Sequence, residues 1–125
     1  MKKLSYFIRY TLAAMLLIFG LNKFFHFMSS PSLSDEAQAY LQAMESTGIL
    51  FPLLGIIYIL TAVALIVDRY AALMLLILTP ITINILIFHG SLALGGIGPG
   101  LIVAILNALA LFTYRMKYRE ILSEE

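Results

Sequence analysis

Apolar residues run almost unbroken through four stretches, from about Tyr6 to Met28, Ile49 to Val67, Tyr70 to Phe88 and Ile97 to Tyr114, and polar residues gather between them. Crossing a hydrocarbon core of about 30 Å takes roughly 20 apolar residues as a helix. Each stretch is close to that length, and backbone groups in lipid must be satisfied internally, which selects helices over an open sheet. The pattern therefore predicts an all-α, integral membrane four-helix bundle filling residues 1–125 as one domain. Asp68 and Arg69 leave only a tight turn between the second and third stretches, so those two helices must run antiparallel.

The segment between the first two stretches has a different rhythm. Ser32 and Ser34 stand before Asp35 and Glu36, a helix start with acidic side chains at the positive end of the dipole. Ala37, Tyr40, Leu41 and Met44 then follow helical spacing, with Gln38, Gln42 and Glu45 on the other face. A short amphipathic helix at the membrane surface is predicted, ended by Gly48. Pro52 is tolerated in the first turn of the next helix, where a missing N–H costs nothing.

Charge adds an orientation. Of the eight basic residues, Lys2, Lys3, Arg9, Arg69, Arg115, Lys117 and Arg119 fall at one end of a four-span topology, and only Lys23 does not. Cytoplasmic segments are enriched in lysine and arginine, so both termini are expected in the cytoplasm. A cleaved signal peptide is the competing reading, with Ala37, Gln38 and Ala39 resembling a cleavage site. The first apolar run is too long for that, Asn22 and Lys23 interrupt it, and the triplet lies well past its end. The absence of cysteine excludes disulfide and thiol redox chemistry. With two histidines and few carboxylates, no metal site is expected. Nucleic-acid binding has only the short basic stretch Arg115 to Arg119 in its favour, which topology already requires.

Within the stretches, Gly100, Ala104 and Ala108 repeat every four residues beside Asn107, and this face of the fourth helix is expected to point into the bundle. Pro80 should kink the third helix and leave the Leu76 carbonyl short of a partner. Asn22, Lys23 and His26 fall within an arc of about 100° near the end of the first helix. Asn84 and His89, near the end of the third, are about 140° apart and both face inward only if that helix loosens before Gly90. An ionisable group in a span costs about 2.5–3.5 kcal/mol at its centre and is a functional candidate by default. Lys23 has a second reading, in which its stem snorkels and its ammonium reaches interfacial water or Glu45. Asn84 and Asn107 also read as interhelical hydrogen-bond partners. Phe24, Phe25, Phe27, Phe51 and Phe88 lie at the same level, either as the wall of a flat-ligand pocket or as a belt facing lipid.

Gly20 through Phe25, Leu53 through Leu60 and Asn84 through His89, in that order and spacing, resemble the DoxX-like family of small four-helix bacterial inner-membrane proteins. The resemblance spans nearly the whole chain and marks Gly20, Lys23, Gly55, Asn84 and His89. It implies a bacterial inner-membrane location and an association with quinone-linked redox complexes, but assigns those residues no reaction. Two functional expectations follow. In one, the chain is a redox-associated subunit in which Asn22, Lys23, His26, Asn84 and His89 surround a quinone head group, donors at its two oxygens favouring charge build-up on reduction. A haem held by His26 and His89 is a weaker variant. In the other, the bundle is a non-catalytic scaffold or small-solute carrier, with Lys23 and Glu45 locking the surface helix. The partners expected are membrane lipid, redox-complex subunits and a second copy of the chain.

Overall fold

A computed structural model describes residues 2–25, 33–92 and 97–122. Its helices are α1 (Lys2–Phe25), α2 (Asp35–Glu45), α3 (Leu50–Val67), α4 (Ala71–Ser91), α5 (Ile97–Thr113), and a 3₁₀ turn, Arg115–Tyr118, leading into the short α6 (Arg119–Leu122). No strand occurs among the described residues. Helices α1, α3 and α4, of 24, 18 and 21 residues, are long and apolar enough to cross a membrane, and α5 is a shorter apolar helix. At 1.5 Å per residue, the 17 residues of α5 span about 26 Å, slightly less than the hydrocarbon core.

The boundaries differ from expectation in an instructive way. α1 starts at Lys2 rather than near Tyr6, so Arg9 lies two turns inside the helix instead of at its mouth. α4 continues to Ser91, carrying His89 and Gly90 within regular helix, so the loosening that a common inward orientation of Asn84 and His89 requires does not occur. The turn between α3 and α4 places Asp68 and Tyr70 in the left-handed region, at φ 57° and 61°. The surface helix follows its sequence signals: Ser34 caps it, its hydroxyl accepting from the Ala37 N–H at 3.2 Å. Gly48 takes φ 72° just beyond its end, a conformation that costs a Cβ-bearing residue about 1 kcal/mol or more.

α1 lies along α3 and α5, and α4 lies along α3 and α5, so each long helix has two long neighbours. One core cluster joins them: Ile8, Leu12, Ala13 and Leu16 of α1, Tyr58, Ala62 and Leu65 of α3, Ala71, Leu75 and Leu78 of α4, and Val103, Leu106 and Ala110 of α5. The spacing is three and four residues on α3, α4 and α5, and on α1 Ile8, Leu12 and Leu16 repeat every four with Ala13 beside them, which is one helical stripe on each. The stripe on α5 also includes Asn107. This corrects the expected inward face: Gly100 and Ala104 are half-buried at its edge, and Ala108 turns to the exposed side. The outer faces carry exposed Ile, Leu, Val and Phe on all four helices.

Candidate functional site

α1 and α3 cross closely at Gly20 and Gly55. A Cβ on Gly20 would sit 3.1 Å from the Gly55 carbonyl oxygen, and a Cβ on Gly55 would sit 3.1 Å from that of Gly20. Small residues permit this backbone proximity, which supplies packing where lipid offers no hydrophobic drive. Lys23 sits one turn beyond Gly20, and its Cβ lies 3.0 Å from where a Gly55 Cβ would be. The crossing therefore clamps the Lys23 stem against α3. Its ammonium stands 4.9 Å from the centre of the Phe51 ring, within cation–π range, and Glu45 at the end of α2 acts electrostatically on it. Asn22 is half-buried and engaged in an interaction of its own.

Asn84 meets a different neighbour. Its Nδ2 and the Tyr40 hydroxyl lie 2.9 Å apart, and the hydroxyl lies 3.2 Å from Asn84 Oδ1, so α2 is bonded to α4. The Tyr40 ring stacks on Phe88 with centroids 4.9 Å apart. Ser34 adds a hydroxyl contact to the Leu92 carbonyl at 3.3 Å. His89 faces a third direction: Nδ1 is 3.0 Å from the Ile85 carbonyl of its own helix, and the ring lies beside Gly100 of α5. Asn84 and His89 thus keep the divergence that an intact helix imposes. His26 and Phe27 lie outside the described residues, so the quinone contacts and the haem pairing that need His26 do as well. Of the phenylalanines that are described, Phe88 is buried, while Phe25 is 71% exposed.

In the middle of the molecule, Asn107 Nδ2 donates to Thr79 Oγ1 at 3.3 Å, tying α5 to α4 beside Pro80. Thr79 in turn donates to the Leu75 carbonyl at 2.6 Å.

The opposite end holds what the sequence reading missed. Arg9, expected as an interfacial topology charge, is only 6% exposed. Its Nε and Nη2 donate to the Leu65 carbonyl at 3.1 and 2.8 Å, and Nη2 reaches the Ile66 carbonyl at 3.4 Å. These carbonyls belong to the last turn of α3, where no intrahelical donor remains and the dipole is negative. The guanidinium carbon also stands 5.5 Å from the Tyr6 ring centre and 5.2 Å from that of Tyr10. One signal could have found it: Arg9 shares a helical face with Ala13, Leu16 and Gly20, at offsets of four, seven and eleven.

Around this end the Tyr114 hydroxyl donates to Asp68 Oδ1 at 2.5 Å, and the Tyr118 hydroxyl donates to the Ala72 carbonyl at 2.8 Å. Burial pushes the Tyr118 phenol above its ordinary range, so it stays a neutral donor. These two bonds fold the C-terminal segment over the α3–α4 turn. Between them lies a cavity of about 350 Å³, lined by Asp68, Tyr70, Ala71, Ala72, Leu73, Leu76, Tyr114, Lys117, Tyr118 and Ile121.

The chain matches no family, curated protein or solved structure among those compared with it. Function therefore rests on the two ends of the molecule alone.

Proposed function

We propose that the chain is an integral membrane protein, a bundle of α1, α3, α4 and α5 crossing a bacterial inner membrane with α2 on its outer surface. It acts as a non-catalytic scaffold subunit of a redox-associated membrane complex of the DoxX-like kind. The exposed apolar side chains on every long helix support the membrane placement, because lipid is the solvent that such a surface suits. The observation that carries the scaffold role is the division of the loop-end polar groups. Lys23 is clamped at the α1–α3 crossing, Asn84 is bonded to Tyr40, and His89 turns toward α5. Side chains held by three different neighbours brace a structure rather than converge on one substrate. The basic residues at the opposite end support cytoplasmic termini.

The quinone-binding reading keeps one observation in its favour: an ammonium held against an aromatic ring is a ready donor to a carbonyl oxygen. Lys23→Ala separates the two. Under the scaffold reading the variant melts earlier in detergent, and protein extracted in its own lipids carries no quinone by native mass spectrometry. A stoichiometric quinone lost in Lys23→Ala without a change in melting would overturn the scaffold reading.

A further inference from the structure

We propose that the cavity at the basic end binds one phospholipid whose headgroup carries both a phosphate and a primary amine. The inference rests on the membrane placement above, but not on the scaffold role. Its volume of about 350 Å³ is at the lower end of the range for small-molecule sites, about 300–1,000 Å³. The lining divides by chemistry. Lys117, Asp68, Tyr114 and Tyr118 supply the polar part, and Leu73, Leu76 and Ile121 supply the apolar part.

That division runs along α4. Leu73 and Leu76 lie on its first two turns and lead from the polar part toward the middle of the helix. Leu73 is 55%, Leu76 39% and Ile121 68% exposed, so they form a surface that an acyl chain would cover. A headgroup in the cavity would sit at the level of the α3–α4 turn, where the basic residues place the bilayer surface. The arrangement suits an amphiphile rather than a soluble metabolite.

Charge selects among amphiphiles. Lys117 offers an ammonium to a phosphate, and the first amides of α4, at Ala71, Ala72 and Leu73, add donors that the preceding Tyr70 leaves uncapped. Asp68 lies in the same lining, with Oδ1 accepting from Tyr114. A headgroup with phosphate alone would bring a second negative charge into a lining that already holds the Asp68 carboxylate. A quaternary ammonium balances the charge but has no N–H to donate. A primary amine does both, placing its ammonium at Asp68 while the phosphate takes Lys117.

The test begins with the full chain in membranes washed in alkaline carbonate, where release into the supernatant would overturn the membrane placement and this proposal together. Embedded protein is then exchanged into equal parts of phosphatidylethanolamine, phosphatidylglycerol and phosphatidylcholine and examined by native mass spectrometry. One retained phosphatidylethanolamine is expected. Lys117→Gln should weaken its retention roughly tenfold, the scale of one charge-assisted hydrogen bond. Asp68→Asn, which keeps an acceptor for Tyr114, should abolish the preference over phosphatidylcholine. Glycerophosphoethanolamine, the same headgroup without chains, should not compete at equal concentration. Retention of the three lipids in proportion to supply, or retention unchanged in Lys117→Gln with the melting temperature preserved, would overturn the lipid site and leave the membrane placement standing.

Discussion

Replacing Arg9 with methionine keeps an unbranched apolar stem and removes the guanidinium, which isolates the buried charge from its packing. The Leu65 carbonyl receives two donors at 3.1 and 2.8 Å, while the Ile66 contact at 3.4 Å is too long to count for much. Hydrogen bonding to a charged group contributes about 1.5–3 kcal/mol, and two ring contacts add about 0.5–1 kcal/mol each. Against this stands the desolvation of a buried cation, several kcal/mol, which methionine would recover in part. The opposing terms leave a net loss of about 1–3 kcal/mol. Arg9→Lys should fall between the two, because a lysine is a point charge and cannot present the two-donor fork. Unfolding in mixed detergent micelles should therefore rank the wild type above Arg9→Lys and Arg9→Lys above Arg9→Met. Under the proposed topology Lys2, Lys3, Arg69, Arg115, Lys117 and Arg119 remain to fix orientation, so inverted insertion would not explain the loss. If Arg9→Met equals or exceeds the wild type in stability, the bonds to the end of α3 are not what holds α1 in place.

Gly55→Ala would bring a Cβ to 2.7 Å from the Phe24 ring, 3.0 Å from Lys23 Cβ and 3.1 Å from the Gly20 carbonyl. Overpacking costs about 1–3 kcal/mol and better helix propensity returns about 0.8–1, so a net loss of up to about 2 kcal/mol is expected; a rise in melting temperature would contradict the close crossing. Tyr40→Phe and Asn84→Leu should each loosen α2 by about 1 kcal/mol, and the double variant should cost much less than their sum, with hydrogen exchange of α2 amides as the readout. Full additivity there would mean that the two side chains do not act as a pair.

Where polar residues interrupt the chain, the fold was legible. Ser34, Asp35 and Glu36 announced α2, Gly48 its end, and Asp68–Arg69 the tight turn, because caps and turns depend on local chemistry. Inward faces were another matter. α4 is apolar all round from Ala71 to Leu78, so nothing there marks Leu75 and Leu78 as its buried stripe rather than Leu76 and Ile77. The same blindness favoured the repeat of Gly100, Ala104 and Ala108 over the buried Val103, Leu106 and Ala110. Of the site, Lys23, Asn84 and His89 were visible as polar residues in apolar surroundings, but not that they face three different neighbours. Arg9 was hidden by its usefulness as a topology charge, since a residue that satisfies one rule invites no second question.

Helices in lipid gain nothing from hiding apolar surface from one another, so specific ties must decide which pairs are firm. α1 and α3 are tied near both ends, by Arg9 on Leu65 and by Gly20 on Gly55. α4 and α5 are tied by Asn107 on Thr79 and by the close approach of Gly100 to Ile85. The molecule is in this sense two firm helix pairs that share one core, and the polar ties between the pairs lie at the ends. At one end α2 touches α3 and bonds to α4 through Tyr40. At the other, the C-terminal segment grips the α3–α4 turn through Tyr114 on Asp68 and Tyr118 on Ala72. The cavity lies inside that second joint, so a molecule held there would bear on the angle between the pairs, whereas a change at Lys23 would act within the α1–α3 pair. On the proposed lipid site, Lys117, rather than the more conspicuous Lys23, is the basic side chain through which a bound lipid would reach the arrangement of the whole protein.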